Sequence, residues 1–257
     1  MTDRPFLECR DITVQFGGVR ALDAVTITAQ AGSITGLIGP NGAGKSTMLA
    51  VASGVLSPKS GSLLLDGEDV THLRSHQLGR LGVARTFQAP QLVGEMTVLE
   101  HIVLAQRIGS GGPHLLRDYL TPGRSWIRAD ELERASRLLS GLDIGEIAAA
   151  TPGALPMGTR RLVEVAQALA TRPKVLLLDE PAAGLNEAES AGLADLVQRV
   201  CERFGVAVLL VEHDLELVLG ISSNIFVIDF GRLIDQGPPE HIRQSRQVKE
   251  AYLGVGV

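Results

Sequence analysis

Apolar positions along this chain fall into two rhythms. Ile12, Val14 and Phe16 alternate with polar neighbours, as do Leu63 and Leu65, the period-two pattern of strands buried on one face. Gly17-Gly18 falls where a hairpin turn would join two such strands. Four short runs, Ser33–Ile38, Val175–Leu178, Val206–Val211 and Ile225–Ile228, are apolar almost throughout, as expected of strands covered on both faces in a parallel sheet. Helical spacing separates them. Thr97-Val98-Leu99-Glu100 is a capping box, followed by Leu99, Ile102 and Val103 on one face. Asn186 to Glu189 forms a second candidate box, followed by Leu193, Leu196, Val197 and Val200. Leu162, Val165, Ala166 and Leu169 make a third stripe, and Leu132, Ala135, Leu138 and Leu142 a fourth.

This order predicts an α/β fold: an antiparallel β subdomain, a parallel core and an inserted α-helical subdomain. The loop signals Gly109-Ser110-Gly111-Gly112-Pro113 and Thr121-Pro122-Gly123 lie inside the insertion. The division expected within one domain, 1–257, is a core of 1–98 and 173–240, a helical subdomain of about 99–172 and a helical tail of about 239–257. Trp126, the only tryptophan, is expected to pack within the helical segment.

Composition narrows the field. At 257 residues the chain suits one domain with two lobes. Hydrophobic residues at 45% and charged residues at 21% exclude a disordered chain. Lys+Arg 24 against Asp+Glu 29 gives −5, which argues against a protein that coats nucleic acid through its phosphates. No apolar run approaches the ~20 residues of a membrane-spanning helix, and Met1 to Arg10 does not resemble a signal peptide. Cys9 and Cys201 have no metal-ligand spacing. The expectation is a soluble protein of a reducing cytoplasm.

Gly39-Pro40-Asn41-Gly42-Ala43-Gly44-Lys45-Ser46-Thr47 matches G-x-x-x-x-G-K-[ST], after a strand-like run and before a helical stretch. Its glycines allow backbone N–H groups to turn inward around phosphates, and the following helix points its positive end at them. Lys45 would reach the β- and γ-phosphates, and the Ser46 hydroxyl would ligate Mg²⁺. Further on, Val175–Leu178 ends in Asp179-Glu180. Ligands of open α/β sheets sit at the carboxyl ends of strands. Asp179 would hold Mg²⁺ through its water shell, and Glu180 would orient or deprotonate an attacking water.

Four further pieces fall in a fixed order: Gln88 after Val83–Phe87, Leu155-Pro156-Met157-Gly158-Thr159 opening a helix, Gly184-Leu185-Asn186 after the acid pair, and His213 after Val206–Val211. With the phosphate loop, this set resembles the ATP-binding cassette (ABC) ATPases over nearly the whole chain. The resemblance implies an ATP- and Mg²⁺-dependent P-loop NTPase. Gln88 would contact Mg²⁺ and sense a membrane partner, His213 would touch the γ-phosphate, and Phe16 would stack on adenine. Phe16 shares a face with Ile12 and Val14, so plain core is the alternative there. Leu155–Thr159 would stand where the LSGGQ signature meets the opposite subunit's nucleotide. Gly184, Leu185 and Asn186 would form the D-loop at the dimer interface.

Asp179-Glu-Pro-Ala-Ala-Gly-Leu-Asn186, Val211-Glu-His-Asp214, Arg85-Thr-Phe-Gln88 and Ala251-Tyr-Leu-Gly254 are most similar to the ATPase subunits of branched-chain and hydrophobic amino-acid importers. Within these, the segment 107–130 resembles the longer of two ATPase types. The implied partners are a second ABC ATPase in a homo- or heterodimer, two permeases and, indirectly, a solute-binding protein. The implied location is peripheral, on the cytoplasmic face of the inner membrane, with no nucleic acid bound. Ala89, Pro90, Leu92 and Val93 would be the exposed apolar dock beside Gln88. Lipopolysaccharide-transport ATPases share the tail but usually lack the insertion. ABC ATPases of ribosomes or DNA usually carry two P-loops or a long coiled coil, and GTPases an N-K-x-D motif that is absent here. Of the LSGGQ signature only Leu155 and Gly158 survive, and Pro156 in place of serine would weaken the grip on a partner's nucleotide.

Overall fold

The computed structural model describes residues 6–86, 92–110 and 127–253. β1 (Leu7–Phe16) and β2 (Val19–Ala29) form the hairpin predicted at Gly17-Gly18, with Phe16 opposite Val19 and Gly17 at φ 55°. β3 (Ile34–Ile38) leaves for a second sheet. β4 (Ser60–Leu65) and β5 (Glu68–Asp69) return to the first, giving an antiparallel order β2-β1-β4-β5.

The second sheet adds β6 (Val83–Arg85), β7 (Val175–Asp179), β8 (Ala207–Val211), β9 (Asn224–Asp229) and β10 (Arg232–Gly237), in the order β10-β9-β3-β8-β7-β6. Its pairings are parallel except for β9 with β10. The four apolar runs are thus its inner strands, and β3, just before the P-loop, lies between β8 and β9.

Period two divides these inner strands between two cores. Leu37, Leu177, Leu209 and Phe226 face Met48 and Leu49 of α1 (Lys45–Ala52) together with the first sheet. Ile38, Leu176, Leu178, Val208 and Leu210 face the opposite way. That side is covered by α3 (Val98–Gly109), α4 (Ala129–Gly141), α5 (Met157–Ala170), α6 (Glu187–Phe204) and α7 (Leu215–Ile221). α2 (Ser75–Arg80) lies beside β6. α8 (Pro239–Gln244) and α9 (Arg246–Leu253) close the chain.

Both predicted capping boxes form. Thr97 Oγ1 accepts from Glu100 N while Glu100 Oε2 accepts from Thr97 N at 2.7 Å. Asn186 Oδ1 accepts from Glu189 N at 3.0 Å, and Glu189 returns the bond to Asn186 N at 3.1 Å. Within the helical segment, Arg107 at the end of α3 holds Glu131 in the first turn of α4 through two bonds, 2.8 and 2.7 Å.

Several expectations need correction. Phe16 is 54% exposed, so it does not continue the core face of Ile12 and Val14; it ends β1 at the hairpin turn, opposite the also exposed Val19, beyond the part of the sheet that covers the core. In α4 the buried line is Glu131, Ala135, Leu139 and then Leu142, whereas Leu132 is exposed. Steps of four positions follow the core better there than the stripe read from Leu132. Leu92 is half-buried against the core rather than part of an exposed patch, while Val93 is exposed. Ala89, Pro90 and Trp126 lie outside the described residues. Among the described residues no helix is long and apolar enough to cross a membrane.

Candidate active site

The P-loop runs from the end of β3 to the start of α1, braced from two sides. Gly44 sits at φ 109°, and a Cβ there would lie 2.6 Å from the Ala21 carbonyl oxygen of β2, so only glycine fits. At Gly39, φ 154°, a Cβ would lie 2.0 Å from the Ile228 carbonyl oxygen of β9. Between β9 and β10, Gly231 N donates to Ala43 O at 2.9 Å and Gly231 O accepts from Asp23 N at 2.8 Å. α9 also reaches this loop. Burial pushes the Tyr252 phenol up to about 12, with the Gly39 backbone opposing the rise.

α1 begins at Lys45 with Gly44 as its N-cap and no side-chain cap. Its leading N–H groups are therefore left for an external anion. Ser46, on this first turn, is exposed, and Thr47 is half-buried. Asn41 and Gly42 are exposed on the loop, Pro40 is half-buried and Ala43 is buried. Lys45 is buried and folds back over the loop, donating to Gly39 O at 2.7 Å and Pro40 O at 3.0 Å. Burial lowers its pKa, while Glu180, Asp179 and Glu212 pull it back up. One ammonium thus stands among three carboxylates, with carbonyls that phosphate oxygens could replace.

Asp179 ends β7 and is 3% exposed. Its Oδ2 accepts from Arg85 Nη2 at 2.8 Å. Its Oδ1 is buried with no hydrogen-bond partner among the described residues. A buried carboxylate oxygen left over in this way calls for a donor or a cation. Glu180 follows at φ 46°, its N–H held by Val211 O at 2.8 Å. This left-handed turn lifts the half-buried Glu180 off the strand line beside Lys45.

Next to them is an acid with no role assigned from the sequence. Glu212 is wholly buried at the end of β8. It accepts from Ala182 N at 2.7 Å and from His213 N at 3.2 Å. It therefore ties the segment after Glu180 to the histidine. Burial raises its pKa, opposed by those two N–H bonds and by His213. His213 itself is exposed, its Nδ1 3.6 Å from the Glu212 carboxylate. In the sequence Glu212 carries one local signal, a charge directly after the fully apolar run Val206–Val211.

The remaining predicted residues lie elsewhere. Gly184, at φ 80°, is exposed and Leu185 is half-buried. Asn186 spends its side chain capping α6. Leu155 is buried, Pro156 is the N-cap of α5, and Met157 is exposed. Gly158 is buried with Glu189 of α6 alongside, and Thr159 is half-buried. Phe16 lies at the tip of the β1–β2 hairpin, on the strand pair that braces the P-loop. Gln88 is outside the described residues.

Comparison with known proteins bears on the family and the fold. The family model described as ABC transporter matches residues 22–183. The branched-chain amino acid transport ATP-binding protein BraF of Pseudomonas aeruginosa is 39% identical over 251 residues, spanning 98% of both chains. LivG of Escherichia coli, of the same description, is 37% identical over 257 residues, again 98% of both. Among solved structures, the ADP conformation of the ATP-binding cassette MJ1267 superposes with a TM-score of 0.85 at 31% identity, covering 98% of this chain and 99% of that one. A nucleotide-free cassette gives 0.84 at 30%, covering 99% and 100%. End-to-end likeness at this identity, on a chain whose glycine loop, lysine and carboxylates converge as described, leaves one conclusion: the protein belongs to the ABC transporter family and is one of its ATP-binding, ATP-hydrolysing subunits.

Proposed function

We propose that this subunit hydrolyses Mg²⁺-bound ATP to drive import of branched-chain or other hydrophobic amino acids, or related small organic solutes. The names of BraF and LivG, aligned over nearly the full chain, support that cargo class. The observation that carries the chemistry is the leftover Asp179 Oδ1, buried beside Lys45 and the uncapped start of α1. This donor set suits a hard cation next to phosphate oxygens. Ser46, Asp179 and Gln88 are the residues that would hold Mg²⁺, which when bound neutralises charge on the phosphates.

In this reading the loop N–H groups and Lys45 bind the phosphates, with Lys45 exchanging the carbonyls of Gly39 and Pro40 for phosphate oxygens. Phe16 covers the adenine. Glu180 takes the proton from the attacking water on a carboxylate oxygen, and His213 steadies the γ-phosphate. Two such subunits meet with each P-loop facing the other's residues 155–159, while Gly184, Leu185 and Asn186 cross the interface. Closure and opening work on two permeases docked near Gln88, at the cytoplasmic membrane face, with a solute-binding protein delivering cargo.

The test is phosphate release and nucleotide binding by purified protein. Glu180→Gln keeps its shape and loses the base, so ATP binds but turnover falls ~10²–10⁴-fold. Lys45→Ala loses a charge-assisted contact worth ~1.5–3 kcal/mol, or ~10–100-fold in affinity. Wild-type turnover by Glu180→Gln sinks the assignment. For the cargo, cells lacking the chain should lose uptake of labelled leucine and regain it with wild type but not with Glu180→Gln; uptake that survives deletion refutes that cargo.

A further inference from the structure

Arg85 is the last residue of β6 and pairs with Leu177 of β7 in the sheet. Its guanidinium is largely buried and forks between two elements. Nη2 donates to Asp179 Oδ2 at 2.8 Å, and Nη1 to Ser53 Oγ at 3.0 Å. Ser53 closes α1, the helix that begins with Lys45, and its hydroxyl is itself aimed by donating to Ala50 O at 3.2 Å. One side chain thus joins the far end of the P-loop helix, the Asp179 carboxylate and the strand that leads toward Gln88.

The terminal torsion of an aspartate is soft and nearly two-fold, so its carboxylate oxygens exchange places unless something holds one of them. Here Oδ2 is held, and Oδ1 is left buried without a partner among the described residues. We propose that Arg85 is a positioning residue for the divalent cation, braced by Ser53, which fixes Asp179 so that Oδ1 alone is presented. The proposal rests on the Mg²⁺ reading above. Orientation competes with charge, because a nearby guanidinium also repels a cation. Lysine separates the two effects, since it keeps the positive charge but lacks the planar fork that serves Ser53 and Asp179 together.

The probe is Mn²⁺, titrated by electron paramagnetic resonance into the full chain with a non-hydrolysable ATP analogue. Residues that orient a metal ligand typically cost ~10–100-fold in metal affinity when replaced. Arg85→Lys and Arg85→Ala should both weaken Mn²⁺ by about 10-fold or more, and Ser53→Ala by less, with metal-free ATP binding kept within about 2-fold. Arg85→Lys binding Mn²⁺ like wild type, or Arg85→Ala binding it more tightly, overturns the proposal by showing that charge alone matters. Ser53→Ala removes only a surface-remote hydroxyl and tests the brace even if the arginine variants misfold; an unchanged Mn²⁺ affinity there overturns it too. A wild-type chain that takes up no Mn²⁺ with nucleotide would instead refute the metal reading.

Discussion

Glu212→Gln tests the link between the two halves of the active site. The wild-type carboxylate is wholly buried and accepts two backbone N–H groups, Ala182 at 2.7 Å and His213 at 3.2 Å. Glutamine has the same shape, but its NH₂ cannot accept and must face one of these donors, whereas either oxygen of the carboxyl keeps a lone pair even when the group is protonated. One buried N–H left without an acceptor costs ~1–3 kcal/mol. The pH dependence adds a sign. Burial raises the Glu212 pKa; Ala182, His213 and its ring oppose the rise, and the Glu180 charge adds to it. The folded value thus lies above the unfolded one, near ~4.3. The group's contribution to stability is full below the unfolded pKa and declines as pH climbs through the folded one. Glutamine has no proton to lose. Urea unfolding of both proteins between about pH 4.5 and 8 should show the wild-type advantage largest at the acid end and shrinking toward neutrality. An advantage that grows with pH would refute the reasoning, because it would require a carboxyl stabilised in its charged form.

Glu131→Ala breaks the two-bond pair with Arg107 at 2.8 and 2.7 Å and should cost ~3–5 kcal/mol in thermal or urea unfolding. The Arg107 hydrogen bond holds the Glu131 pKa below its ordinary value, so that contribution is present above the unfolded pKa and lost as pH falls through the folded one. Phe230 is 88% exposed at φ 43°; Phe230→Asn should relieve about 1 kcal/mol of backbone strain and raise Tm by about 2–4 °C, and a lower Tm would reveal a contact made by the ring. Pro156→Ser places an acceptor at the α5 N-cap, a gain of ~1 kcal/mol largely offset by the freedom that losing proline returns to the unfolded chain. Its stability should barely change, while in a Glu180→Gln background size-exclusion chromatography with ATP should show more self-dimer; an unchanged dimer fraction removes any special role for Pro156.

What could be read from the sequence was local. Val175–Leu178 announces a strand because every residue is apolar, and Thr97 to Glu100 announces a helix start because its partners are three residues apart. The P-loop is a single continuous stretch, so spacing alone identifies it. Arg85 and Asp179 are 94 residues apart, and Glu212 lies 30 from the N–H it holds. No periodicity encodes such pairs; they exist only once β6, β7 and β8 are laid side by side. Short α2 and α7, of six and seven residues, leave no readable signal, because two turns carry too few apolar positions to fix a period. Alternation leaves Phe16 ambiguous, because period two gives its face but not whether the core extends as far as the hairpin tip.

The central position of β3 has a consequence for biosynthesis. Its two neighbours, β8 and β9, are the last parallel strands among the described residues. Ser223 Oγ, at the threshold of β9, bonds to Ile34 O across 189 residues. During translation the phosphate loop therefore leaves the ribosome long before the strands that flank its own strand, and before Gly231, which pins Ala43. The first antiparallel sheet can assemble early from β1, β2 and β4, whose partners are close in sequence. The nucleotide cradle cannot, because loop closure over such distances is slow and comes after local pairing. A nascent chain halted before β9 exposes β3 as a bare apolar edge, a substrate for chaperones and proteases, so competence to bind nucleotide waits until β8 and β9 have paired with β3.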